Sequence, residues 1–221
     1  MRAALPLALD DVSFTVEPGE TVALVGHSGA GKSTCVNLLL RSWDPVAGTV
    51  SIGGHDLRRL PLAQLPELVT LVPQGVYLFN DDVLGNIHIG RPDATDAQVE
   101  AATAQATEFI EALPRGYRTQ LGEPGARLSG GRRLAIARAI LSPAPVLVLD
   151  EAVSNLDTES EVALHRALTR LGGERTLLII AHRPATIRTA SRIVVLRDGR
   201  VVEQGHYDDL LTAGGSFAEL I

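Results

Sequence analysis

The sequence predicts an α/β protein: a mainly parallel sheet with helices on both faces, a small antiparallel β part, and a helical insertion in the middle third. Three observations carry this. Thr21–Val25, Val146–Leu149 and Thr176–Ala181 are unbroken apolar runs, as strands buried on both faces should be. Stretches between them carry apolar residues at helical spacing. A glycine-rich loop, Gly26–Thr34, joins the first run to one of those stretches, giving strand, loop and helix in order.

Taken along the chain, Val12–Val16 and Thr21–Val25 read as strands separated by the turn Glu17-Pro18-Gly19-Glu20. Cys35, Val36, Leu38 and Leu39 then stripe a helix that starts near Lys32 and ends near Arg41. Thr49–Ile52 is a short strand before Gly53-Gly54, and Leu68–Val72 another before Pro73. From about Asp82 to Leu141 strand formers are few and alanine-rich helix dominates. Asp96 is placed to cap a helix over Ala97–Leu113, which Pro114 and Gly116 stop. Strands return at Val146–Leu149, Thr176–Ala181, Ile193–Leu196 and Arg200–Glu203. Between them Leu164, Leu168 and Leu171 stripe a helix with Asp157 as its cap and Gly172 at its end. The expected organisation is one domain, 1–221, whose core is 1–81 and 142–221 and whose helical subdomain is 82–141.

Bulk properties exclude several classes. With 45 % hydrophobic residues the chain can bury a sizeable core. A net charge of −6 argues against a nucleic-acid footprint, which needs a basic face. No stretch approaches the ~18 uncharged apolar residues of a membrane span, and no charged-then-apolar leader opens the chain. The single cysteine, Cys35, excludes an internal disulfide and sits where a packed thiol is expected. The six histidines show no metal-ligand spacing. These features fit a soluble, cytoplasmic domain.

The chemistry begins at Lys32, the only lysine in the chain. Lysine is a compact point charge on a flexible stem, able to enter a tight loop where the arginine fork does not fit. Gly26-His27-Ser28-Gly29-Ala30-Gly31-Lys32-Ser33-Thr34 matches G-x-x-x-x-G-K-[ST], the phosphate-binding P-loop. Gly26, Gly29 and Gly31 let the backbone curl so that N–H groups converge, and the following helix adds its positive end. Lys32 would reach the β- and γ-phosphates, and the Ser33 hydroxyl would ligate Mg²⁺. The apolar run Val146–Leu149 ends in Asp150-Glu151. In a P-loop fold that places Asp150 beside the phosphates, holding Mg²⁺ through water, and Glu151 where it can polarise an attacking water.

With these two motifs in place the chain resembles, over nearly its whole length, the ATPase domain of ATP-binding cassette (ABC) transporters. Leu128-Ser129-Gly130-Gly131 resembles the family's signature motif, opening a helix 18 residues before Val146. In the family this second anion site closes on nucleotide held by another subunit, so Ser129, Gly130 and Gly131 bind ATP across a dimer. Gln74 resembles the Q-loop glutamine that touches the Mg²⁺ and water site and senses the membrane domain. Ser154-Asn155-Leu156-Asp157 looks like the D-loop, placing Asp157 near the partner's nucleotide, and His182 resembles the switch histidine at the γ-phosphate. The resemblance implies a RecA-like P-loop NTPase core and a Mg²⁺-dependent ATPase with ATP as its substrate. It implies two partners, a second cassette (the same or another chain) and the transmembrane domains of a transporter. The place of work is the cytoplasmic face of the inner membrane.

Leu78-Phe79, Asn86-Ile87, Gly90-Arg91-Pro92, Leu113-Pro114, Gly116-Tyr117 and Leu121-Gly122-Glu123-Pro124-Gly125 resemble exporter-type cassettes in particular. The runner-up functions are a cassette that binds ATP and dimerises but hardly turns over, and a soluble cassette without membrane partners. Three departures stand out. The aromatic residue that stacks on adenine in the family has no counterpart roughly twenty residues before the P-loop, so its strand is expected to lie before Met1, with weakened ATP affinity. Arg132 stands where the signature continues with glutamine, and Gly131 to Arg138 is two residues shorter than usual. Two residues turn a helix by ~200°. Either the helix starts differently or Leu134, Ile136 and Ile140 face a new direction. Arg132 itself either aids charge neutralisation at a partner's phosphate or blocks the glycine amides. Lastly, Ala152-Val153 replaces alanine-threonine, at little expected cost.

Overall fold

The computed structural model describes residues 7–75, 77–104, 106–121, 129–150 and 174–221. Its strands are β1 (Thr21–Val25), β2 (Ser51–Ile52), β3 (His55–Asp56), β4 (Val69–Val72), β5 (Val146–Asp150), β6 (Thr176–Ile180), β7 (Arg192–Arg197) and β8 (Arg200–Gly205). Six of them form one sheet in the order β4-β5-β6-β1-β7-β8. All neighbours in it are parallel except β7 and β8, which form an antiparallel hairpin at one edge. β2 and β3 make a separate antiparallel pair. Gly53 and Gly54, at φ 57° and 80°, take the left-handed conformations that a two-residue hairpin turn needs.

The apolar runs are central strands because both of their faces are covered. Along β1, Ala23 and Val25 join one apolar cluster while Val22 and Leu24 join another across the sheet. The first cluster takes in Leu147, Leu149, Leu177 and Ile179; the second takes Val148, Leu178 and Ile180. This is the period-two alternation of a pleated strand with core on either side. The helices are α1 (Lys32–Leu39), α2 (Leu65–Leu68), α3 (Val83–His88), α4 (Asp96–Ala102), α5 (Thr107–Glu111), α6 (Ser129–Leu141), α7 (Pro184–Ile187) and α8 (Tyr207–Ala213). A third cluster joins Val83, Ile87, Val99, Ala102, Ala106, Ile110, Leu121, Leu134 and Leu141, from α3 to α6. α6 belongs to two cores: Leu134 enters the third cluster, while Ala135, Ile136 and Ala139 enter the first.

Two expectations need correction. Val12–Val16 is no strand. Val12, Phe14 and Val16 turn partly inward and alternate with exposed Ser13 and Thr15, yet no strand pairs with them among the described residues. Alternation was present without the ladder. The single helix over Ala97–Leu113 is two helices, α4 and α5, and Thr95 rather than Asp96 caps the first, in a capping box with Gln98. The break falls at Thr103, whose buried hydroxyl bonds back to Val99 O at 2.8 Å and pairs with the Tyr117 hydroxyl at 2.7 Å. A β-branched residue serving its own backbone in this way ends the helix. The helix striped by Leu164, Leu168 and Leu171 lies outside the described residues.

Candidate functional site

The site forms at the carboxyl ends of the parallel strands, where open α/β sheets hold their ligands. β1 ends at Val25 and the chain turns through Gly26–Gly31 into α1. The backbone there demands glycine twice over. Gly26 has φ 151° and a Cβ on it would stand 2.2 Å from Leu196 O. Gly31 has φ 106°, and a Cβ there would meet Leu9 Cδ2 at 2.5 Å. Gly31 is also the N-cap of α1, without a side chain to cap it, so the helix presents its positive end bare.

Lys32 folds back over this loop. Its Nζ donates to Gly26 O at 2.7 Å and to His27 O at 2.9 Å. The loop bounds a cavity of about 490 Å³. Gly26, Ser28, Gly29, Gly31, Lys32, Ser33 and Thr34 form one wall. Gln74, just past β4, together with Ile180 at the end of β6, His182 beyond it, and Ala8 supply the rest. Asp150 closes β5 in register with Ile180, so its backbone adjoins a wall residue. His27 lends its carbonyl to Lys32 and is not part of the wall, and Ala30 is buried in the core.

The other expected residues fall elsewhere. Ser129, Gly130 and Gly131 open α6. Glu151, Asp157, the rest of Ser154–Asp157, and Gly122–Gly125 lie outside the described residues. Among the described residues no group of three or more His, Cys, Asp or Glu side chains is placed to hold a metal. Ser33 and Gln74 line the cavity as oxygen donors, and Asp150 ends the neighbouring strand in register with Ile180. That set suits a hard cation such as Mg²⁺, which keeps waters and takes substrate oxygens for most of its shell.

Arg132, the residue that departs from the signature resemblance, makes a contact within its own chain that no local pattern predicts. Its Nη2 donates to Gln74 O of the same chain at 3.1 Å. Burial, and then the nearby Arg183 guanidinium, hold its pKa below the ordinary arginine value. Arg183 follows His182 in sequence, so Arg132 lies near the two segments that supply Gln74 and His182 to the wall. Ala8 and Ile180 were also missed; they carry no chemistry that a sequence would advertise. Lys32 among the glycine amides of the loop suits a phosphate-bearing anion.

Comparison with known proteins places the chain in a family. The family model described as "ABC transporter" matches residues 9–154. The ATP-dependent lipid A-core flippase of Chromobacterium violaceum is 52 % identical over 217 residues, which cover 96 % of this chain and 37 % of that protein. The Beta-(1-->2)glucan export ATP-binding/permease protein NdvA of Bradyrhizobium diazoefficiens is 49 % identical over 217 residues, covering 96 % and 36 %. A solved structure of a bacterial Atm1-family ABC exporter with ATP bound superposes with a TM-score of 0.90 at 43 % identity, covering 96 % of this chain and 38 % of that one. The chain thus spans well under half the length of the relatives it matches.

Proposed function

As this chain belongs to the ABC transporter family, we propose that it is the ATP-binding and ATP-hydrolysing part of an exporter-type transporter, working as a dimer of cassettes. The observation that carries the proposal is the cavity itself: the sole lysine, on a glycine loop, faces Gln74 and His182 brought from two other strand ends. In this reading the loop amides and Lys32 bind the phosphates, Lys32 exchanging loop carbonyls for phosphate oxygens. Ser33, Gln74 and Asp150 would hold Mg²⁺, which when bound supplies charge neutralisation on the phosphates. Glu151 takes the proton of the attacking water, and His182 steadies the γ-phosphate. Ser129, Gly130 and Gly131, with Asp157, serve the nucleotide held by the second cassette. The third apolar cluster supports reading 82–141 as a subdomain set on the core of 1–81 and 142–221.

The names of the relatives, a flippase and two exporters, support coupling to a membrane transporter, and in this reading the chain works on its transmembrane domains from the cytoplasmic face of the inner membrane. No helix among the described residues is long and apolar enough to cross a membrane. The test pairs direct ATP binding by calorimetry with phosphate release under saturating MgATP. Lys32→Ala is expected to weaken binding by about tenfold or more, the loss of at least one charge-assisted contact. Glu151→Gln is expected to bind ATP and release no phosphate. Turnover indifferent to both substitutions would sink the proposal.

A further inference from the structure

The segment after β4 combines a cavity residue with an exposed aromatic pair. Gln74 lines the cavity; Tyr77 and Phe79, 69 % and 45 % exposed, stack edge to face with centroids 5.0 Å apart. No described residue between 73 and 81 belongs to a helix or strand. Such a stretch is expected to open locally unless side chains from elsewhere hold it.

Two arginines of α6 do so. Arg132, in the first turn, donates to Gln74 O at 3.1 Å. Arg138 donates to Tyr77 O at 3.4 Å and to Asn86 O at 3.0 Å, and its guanidinium carbon lies 5.5 Å from the centre of the Phe79 ring. Arg138 also donates to Asn86 Oδ1 at 3.2 Å. Asn86, fully buried, accepts from Phe79 N at 2.8 Å and donates to Phe79 O at 3.0 Å. Both ends of the segment are therefore tied to one helix. That helix is itself anchored, with Leu134 and Ile136 buried in separate cores.

We infer that Arg132 and Arg138 form a two-point clamp by which α6 fixes the Gln74–Phe79 segment, and that Arg132 is a positioning residue for Gln74 within its own chain. The inference assigns a use to the arginine that stands where the signature resemblance expects glutamine. Within its own chain the fork reaches the backbone beside the cavity. A guanidinium suits this because a planar, pre-organised donor can reach a carbonyl with little further ordering. The positioning role rests on the ATPase reading above; the clamp does not.

The experiment follows hydrogen exchange across residues 74–80, direct ATP binding and phosphate release, in the wild type, Arg132→Ala, Arg132→Lys and Arg138→Ala. Arg132→Ala is expected to raise exchange near Gln74 about tenfold, the scale of one lost charge-assisted hydrogen bond. It should leave the ATP Kd within about twofold and lower kcat about tenfold, with Arg132→Lys restoring part of both effects. Arg138→Ala should raise exchange at Tyr77–Phe79. Unchanged exchange in both alanine variants would overturn the clamp. A Kd raised as much as kcat falls, or a kcat that rises, would overturn the positioning role. If Arg132→Ala loses its cooperative thermal transition, Arg132→Lys decides on the same readouts. A wild type that binds no ATP would defeat the ATPase reading and the positioning role together, and exchange alone would then judge the clamp.

Discussion

Glu20 and Arg192 show what one residue pair does for the sheet. The Glu20 carboxylate accepts from Arg192 Nε at 2.7 Å and from Glu17 N at 2.8 Å, at the entrance to β1 and β7. The Arg192 hydrogen bond holds its pKa below the usual carboxylate range, against the opposing effect of burial. A lowered folded pKa means the stabilisation is complete above the unfolded value of about 4.3 and is lost as pH falls through the folded one. Glu20→Gln should therefore lower Tm at pH 7, with a gap to the wild type that narrows toward pH 3. A gap constant across that range would contradict the account. Cys35 is the opposite case: burial pushes its thiol up to about 11. Its reaction with a disulfide reagent at pH 7.5 should be on the order of a hundredfold slower than in urea-unfolded protein, because the thiolate is the nucleophile. Equal rates would refute it.

Among the elements, α6 has the orientation least marked by its own sequence, because it packs into two cores. Its two missing residues left the direction of Leu134, Ile136 and Ile140 open. Leu134 and Ile136 are 1 % and 3 % exposed, and Ile140 packs against both the first and third clusters. A helix between two cores can turn without exposing apolar surface, so no simple stripe marks its orientation in sequence. Its far end depends on Arg175, which donates to Ala139 O at 3.0 Å, to Ile140 O at 3.1 Å and to Ser142 O. A cation on the last carbonyls of a helix meets both their unpaired lone pairs and the negative end of the dipole. Arg175→Ala should cost about 2 kcal/mol in urea denaturation, within the range for hydrogen bonds to charged groups. No change in midpoint would show that water replaces the cap. Local signals did place the glycine loop and α1, because strand, turn and helix are contiguous there. The grip of Arg132 on Gln74 joins residues 58 apart and has no local signature.

For the molecule as a whole, the sheet was legible because apolar runs mark central strands whatever their partners. Strand order was not, since pairing is chosen by tertiary fit among similar Val, Ile and Leu segments. Val12–Val16 fails for the same reason in reverse, having the pattern of a strand without a ladder beside it among the described residues. The order of the sheet also has a temporal side. β1, which leads into the glycine loop, lies between β6 and β7, with Leu24 beside Ile180 on one side and Val194 on the other. Both neighbours come from the last quarter of the chain. A ribosome at ~5–20 residues per second delivers them many seconds after β1 has emerged. Until then this apolar strand waits with both edges open, exposed to wrong partners. The loop that contains Lys32 is thus made before the strands that flank it and takes its place only after them.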